Sequence, residues 1–343
     1  MSGPKSAGRN NKSNASSGGG AATHAGTDFQ DRVAIWIAVR ILDEQNVSPP
    51  WQLTPATTLE ALRCETGEHV DDIQVTTSAA GRIFIQAKHS LTLATSIKSD
   101  LASCIDQFTR QCVLASVNAP LDPGKDRLVI ATSQRSPETI RVVLPSLLSK
   151  LQDLSSGQAA DDAMLNEKEK QAYLIVKTHI ERCWQHHTNN IPSKDQVLFL
   201  LSLVHIQILN VEDGGHDDLG TRDTLRRSIL CEPVQANHAW NFLYQKLATF
   251  ATRHSGADRA ALQRLLLDEV IELQAPRSYR EHIKQLQRHT SNTLATLSFT
   301  SEIHVGSHHV KIKRQVTDAV KSAVETESLV VVGLGKQKEL SIQ

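Results

Sequence analysis

Asp71 and Asp72 stand at the head of one short apolar segment, Ile73 to Thr77, and Gln86 and Lys88 stand at the end of the next. Strand side chains alternate faces with a period of two. In GRIFIQAKHS that alternation puts Ile83, Ile85 and Ala87 on one face and Phe84, Gln86 and Lys88 on the other. In the preceding segment Ile73 and Val75 share a face, and Asp72, Gln74 and Thr76 take the opposite one. Ser78-Ala79-Ala80-Gly81 joins the two as a tight turn, with Gly81 the expected site of a positive φ. A turn centred on Ala79 and Ala80 brings Asp72 across from the Gln86-Ala87-Lys88 triplet at roughly 5 Å, so a carboxylate, an amide oxygen and an ammonium converge.

Those groups suit metal-dependent cutting of a phosphodiester. A hard divalent cation such as Mg²⁺, or Mn²⁺ in its place, takes oxygen ligands and keeps several waters. Asp72 is the expected anchor ligand and Gln86 the second. A bound cation polarises the scissile phosphate and acidifies a water, while the Lys88 ammonium orients that water or offsets charge on the phosphate. A further carboxylate comes from Glu68 or Glu65, with Glu68 ranked first because it is nearer in sequence, and Asp71 supports the pair. The opposing reading is a solvated strand surface, since D-D-I and Q-A-K are short patterns.

The order of elements favours the chemical reading: a helix, an acidic pair on a strand, a turn, an apolar strand ending in Gln-x-Lys, another helix, then a third strand. Asp28 to Glu44 has apolar residues at helical spacing with Asp28 as its cap. Ile97 to Val117 repeats the pattern, and Arg127 to Ser133 is a short buried strand between Pro123-Gly124 and Pro137. This set resembles the PD-(D/E)XK nuclease superfamily, with Asp72 in the first acidic position and Gln86-Ala87-Lys88 in place of the (D/E)-x-K triplet. GTDFQDRVAIWIAVRIL, residues 26–42, resembles the family's opening helix with its Phe29-Gln30 pair. The stretch is also similar to nuclease modules at the N-termini of bacterial anti-phage effectors, of both the STAND NTPase-associated and the cyclic-oligonucleotide-signalled types. The resemblance covers residues 26–145. It implies an α/β fold with a restriction-endonuclease-like mixed sheet flanked by helices and cleavage of double-stranded DNA with Mg²⁺. Asp72, Gln86 and Lys88 carry over as catalytic positions, with Gln30 supporting. Gln86 departs from the common pattern, because a neutral amide binds a cation less strongly than a carboxylate.

Composition sets limits on partners and class. The chain has 343 residues, of which 40% are apolar, and its 37 basic residues balance 37 acidic ones, so no global basic field advertises nucleic acid. A DNA-binding role therefore needs a local basic rim. Lys98 and Arg110 are the candidates near the site, with Lys125, Arg127 and Arg135 further out. Five cysteines without C-x-x-C spacing, no signal peptide and no long apolar run lead to the expectation of a reducing cytoplasm and no membrane partner.

Residues 1–25, rich in Gly, Ser, Asn and Ala, are expected as a disordered tail, and 26–145 as the nuclease-like domain. From about residue 137 the spacing turns helical, so 146–300 is expected to follow as a mainly helical domain, with a winged-helix type as one form it can take. Val197 to Leu209 is apolar all round and fits either a buried helix or a strand. His186-His187 and His308-His309 are read as exposed rather than metal-binding. Residues 301–343 are expected as a linker and a P-loop remnant, because ESLVVVG is followed by LGKQKEL instead of a complete phosphate loop. The chain is accordingly expected to be truncated before an NTPase, with a second copy or a separate NTPase or sensor as partner. The competing function is an inactive nuclease-fold adaptor working through protein contacts.

Overall fold

The computed structural model describes residues 18–47, 51–114, 120–155, 165–299, 302–305 and 308–311. Six strands form a mixed sheet in the order β5-β4-β3-β2-β1-β6. They are β1 (Leu59–Cys64), β2 (Ile73–Thr77), β3 (Arg82–Lys88), β4 (Arg127–Ser133), β5 (Val204–Leu209) and β6 (Gly256–Asp258). β3, β4 and β5 run parallel, whereas β2 is antiparallel to β3, β1 to β2, and β6 to β1.

Helices cover both faces. On one side α1 (Gly18–Asp43) packs with α6 (His216–Thr224), α7 (Ala236–Arg253) and α8 (Arg259–Asp268) over Ile73, Val75, Ile83, Ile85, Val129 and Ala131. On the other, α2 (Asp100–Val113), α3 (Leu144–Ser155), α4 (Glu167–Thr188) and α5 (Lys194–Leu203) pack over Phe84, Leu128 and Ile130. Central strands enclosed on both faces read as nearly continuous apolar runs, as β3 and β4 do. Each fully buried Leu, Ile or Phe among them contributes about 1.5–3 kcal/mol.

Local signals explain the helix ends. Ser99 caps α2 by accepting from the Ala102 N–H, and Asp100 sits in the first turn, where the helix dipole favours negative charge. Asn166–Glu169 and Ser193–Gln196 form capping boxes at the starts of α4 and α5. Val197 to Leu209 is both of the expected alternatives: α5 runs to Leu203, and the β-branched Val204, Ile206 and Ile208 then continue as strand β5.

Three expectations on organisation are corrected. α1 begins at Gly18, so residues 18–25 are helix rather than tail; Ala21, Ala22 and Ala25 extend a helix already nucleated by its packed part. Residues 1–17 lie outside the described residues. The separation of 26–145 from a helical 146–300 does not hold, because β5 and β6 complete the one sheet. The chain divides instead into Met1–Arg277 and Ser278–Gln343. Among the described residues, the helices between 146 and 277 pack on this sheet rather than into a separate winged-helix domain. The second unit contains most of α9 (Arg277–Phe299) and the hairpin of β7 (Glu302–Val305) and β8 (His308–Lys311). The P-loop-like stretch 327–337 lies outside the described residues. Among the described residues no helix is long and apolar enough to cross a membrane.

Candidate active site

The β2–β3 hairpin sets the site. Gln74 pairs with Phe84 and Ile73 with Ile85, so Asp72, one step beyond, falls opposite Gln86. The turn differs from expectation in which residue takes the special conformation. Ala80 holds φ +55°, and Gly81 is needed for another reason: a Cβ there would collide with the Lys125 carbonyl oxygen.

Asp72 and Gln86 are both buried, at 9% and 1% exposure. Asp72 Oδ2 accepts from Gln86 Nε2 at 2.7 Å and from the Ala87 N–H at 2.7 Å. These bonds fix the amide orientation, because only an NH₂ can donate to the carboxylate. Gln86 Oε1 is thereby turned elsewhere, buried and without a hydrogen-bond partner. Both described bonds of Asp72 fall on Oδ2, which leaves Oδ1 for another partner.

Burial pushes the Asp72 carboxyl up to about 6. The Ala87 N–H and the Lys88 ammonium pull it down, while Asp71 and Glu65 push it further up. Asp31, on the buried side of α1, is likewise raised to about 6 by burial and then by Asp28 and Glu65. The buried Cys64 thiol is pushed up to about 12 by burial, with Asp31, Glu65 and Asp72 all adding to the effect. These three carboxylates therefore share one neighbourhood at the end of the β1–β2–β3 segment. Lys88 is half-buried and acts on both Asp72 and the Cys104 thiol of α2, which places its charge on the α2 side of the sheet.

The other expected site residues separate into two groups. Glu65 belongs to the site: its backbone N–H bonds the Asp72 carbonyl, and its side chain accepts from Gln30 Nε2 at 2.9 Å. Asp71 accepts from Gln107 of α2 at 3.3 Å. Glu68, ranked above Glu65 from sequence, is exposed and faces Gln111 at 3.5 Å, because residues 66–70 turn toward α2 instead of folding over the hairpin. Glu65, not Glu68, acts on Asp72, together with Asp71. Lys98 is exposed on the loop before α2, whereas Arg110 is held by Asp106 at 3.0 Å, and His187 binds the same carboxylate at 2.7 Å. His187 is thus a half-buried partner of Asp106, not the exposed residue expected. Arg127 is also misassigned as rim, since it is buried and donates to the carbonyls of Trp51, Gln52 and Pro123. It opens β4, at the sheet edge away from Lys88, and Lys125 sits just before it.

Sequence reasoning missed Asp31, although an acidic residue inside the apolar register of an amphipathic helix was a readable signal. It also missed Glu212, which follows β5 and binds His89 at 2.6 Å; only the fold brings these two residues together.

Among the described residues, no group of three His, Cys, Asp or Glu side chains is arranged to hold a metal ion. The oxygen set here is smaller: the Asp72 carboxylate and the Gln86 amide oxygen. Both are oxygen donors of the kind a hard cation takes, and the enclosed Oε1 is the acceptor left unsatisfied.

No protein-family model matches the chain, and no curated protein matches it. Among solved structures it is similar to the Moraxella osloensis Cap4 SAVED/CARF-domain containing receptor, at 14% identity over 70% of this chain and 46% of that one, TM-score 0.39. The Acinetobacter baumannii Cap4 SAVED/CARF-domain containing receptor with the cyclic trinucleotide 3′3′3′-cAAA matches at 10% identity over 70% of this chain and 44% of that one, also with TM-score 0.39. The chain spans less than half the length of these receptors. Likeness this low carries no argument, and the chemistry of the site stands on its own geometry.

Proposed function

We propose that the protein hydrolyses phosphodiester bonds of double-stranded DNA with Mg²⁺ or Mn²⁺, using Asp72, Gln86 and Lys88. The observation that carries the reading is the hydrogen-bonded Asp72–Gln86 pair, whose amide leaves Oε1 buried and without a partner and whose carboxyl is pushed up to about 6, chiefly by burial. A divalent cation bound there supplies charge neutralisation and a more acidic water. Asp72 binds in its ionised form. The Ala87 N–H and Gln86 Nε2 lock its rotamer, so Oδ1 is presented without further ordering. Lys88 emerges on the same face two residues after Gln86, where its ammonium offsets charge on a phosphate oxygen. Glu65, steadied by Gln30, adds negative charge that strengthens cation binding.

A restriction-endonuclease-like identity for the sheet, a cytoplasmic location and a role in anti-phage defence belong to the same proposal. The first and third are supported by the sequence resemblance of residues 26–145, and the location by the five unpatterned cysteines. Supercoiled plasmid incubated with the protein and Mg²⁺ or Mn²⁺ tests it: nicking is expected, with loss of at least about 100-fold in Lys88→Ala, the scale of one removed charge-stabilising group. Equal nicking by the wild type and Lys88→Ala would exclude this site as its source.

A further inference from the structure

The three parallel strands end on one edge, and each delivers a charged or titratable residue there: His89 just after β3, Arg135 after β4 and Glu212 after β5. The Glu212 carboxylate bridges the other two. Its Oε1 lies 2.6 Å from His89 Nε2 and 3.0 Å from Arg135 Nε, and its Oε2 accepts from Arg135 Nη2 at 3.2 Å. The cradle is built. The His89 ring packs on Phe29 of α1 at 5.5 Å, and Ser133 Oγ bonds the His89 carbonyl at 2.6 Å while accepting the Arg135 N–H at 3.1 Å. Arg32 holds the Val211 carbonyl, next to Glu212, at 3.3 Å. The cradle remains open to solvent, with the Arg135 side chain 66% and Glu212 38% exposed.

An arginine fork on a carboxylate has the geometry of an arginine fork on a phosphate. Ligands of open α/β sheets enter at the carboxyl ends of the parallel strands. Lys88 pairs with Thr132, so His89 and Ser133 each come one residue beyond this pair, and His89 turns to the α1 face of the sheet edge whose α2 face carries Lys88. We propose that Arg135 and His89 form a subsite for a backbone phosphate of a nucleic-acid strand, and that Glu212 stands in for that phosphate until the strand displaces it. The inference rests on the reading of this edge as a phosphodiester site. Glu212 is then an internal competitor, and removing its charge strengthens binding.

The test is binding of a fluorescein-labelled DNA duplex to the full chain, measured by anisotropy in EDTA so that cutting plays no part. Glu212→Gln is expected to bind about fivefold tighter, the factor that release of one partly exposed ion pair gives. Asp213→Asn makes the same change in net charge one residue away and is expected to bind like the wild type. Arg135→Ala is expected to bind more weakly, with the slope of log K against log salt reduced by about 1. Equal affinities for Glu212→Gln and the wild type overturn the subsite, as does an equal gain in Asp213→Asn. The two readings fail separately. Lys88-dependent nicking with no Glu212 effect leaves the catalytic reading and removes the subsite, whereas tighter Glu212→Gln binding without nicking does the reverse.

Discussion

Replacing Asp72 with Asn is expected to make the protein more stable and inactive at once. The carboxyl is raised from 3.8 to about 6, chiefly by burial, so in neutral solution the fold holds a charge it would rather protonate. At about 1.36 kcal/mol per pKa unit, that shift corresponds to about 3 kcal/mol of native-state penalty. An asparagine has the same shape and no charge, and its side-chain oxygen can still accept from Gln86 Nε2 and the Ala87 N–H. For a unit the size of Met1–Arg277 the gain corresponds to a rise of about 5 °C in melting temperature without metal. The pH dependence has a definite sign. A raised native carboxyl pKa means that the folded state holds more protons on Asp72 than the unfolded one between 3.8 and about 6, so the Asp72 contribution to stability falls as pH rises through that window and is flat above it, while buried His205, lowered to about 4, contributes in the opposite sense. Asp31 contributes a decline in the same window, and Asn at 72 removes only the Asp72 share. Mg²⁺ acts in the opposite sense: it stabilises the wild type at pH 7.5 and does much less for the variant, since it binds the ionised carboxylate. Thermal melts with EDTA or Mg²⁺, at pH 4.5 and 7.5, measure all of this. A lower melting temperature for Asp72→Asn at pH 7.5 in EDTA would refute the reasoning, because it would mean that the two hydrogen bonds to Oδ2 outweigh the cost of the buried charge.

Two further substitutions probe the two ends of the β2–β3 hairpin. Gln86→Glu sets a second buried carboxylate against Asp72 and is expected to lower the metal-free melting temperature while enlarging the shift that Mg²⁺ produces; a variant as stable as the wild type in EDTA with no larger Mg²⁺ shift would count against Gln86 as a ligand. Gly81→Ala drives a Cβ into the Lys125 carbonyl and is expected to cost about 2 kcal/mol through backbone displacement, read as a lower midpoint in urea unfolding.

The hairpin was legible because its information is local. Period-two alternation assigned the faces of β2 and β3, and a short turn left little freedom in register, so Asp72 could be set against the Gln86–Lys88 triplet from spacing alone, and the structure's register narrows this to Gln86. What the sequence hid depends on long-range assembly. Nothing in Gln86 announces that it is fully buried, and nothing in Arg127 announces that the Trp51 and Gln52 carbonyls wait for it across the fold. Helical spacing after residue 137 was read correctly, but spacing does not say what a helix packs on. α3, α4 and α5 cover the same sheet as α2, and β5 emerges from the end of α5, so the expected second domain is part of the first.

The glutamine that departs from the family pattern makes physical sense in this setting. Asp31, Glu65 and Asp72 already crowd one neighbourhood, and two of them sit near a pKa of 6. A fourth acid at position 86 would share the Asp72 hydrogen-bond position with another negative charge, and without a cation one of the pair would have to protonate. The amide instead donates to Asp72 and still turns an acceptor oxygen away from it. Cation affinity is weaker for it, and the metal-free fold is spared a second buried charge. The same logic applies at the far side of the edge, where Glu212 satisfies Arg135 and His89 until something with equivalent charge arrives. Both arrangements keep charged or polar groups near the carboxyl ends of β3, β4 and β5 poised for a ligand. Each does so with a side chain that can give up a partner at the cost of one hydrogen bond or one partly exposed ion pair, about 1 kcal/mol.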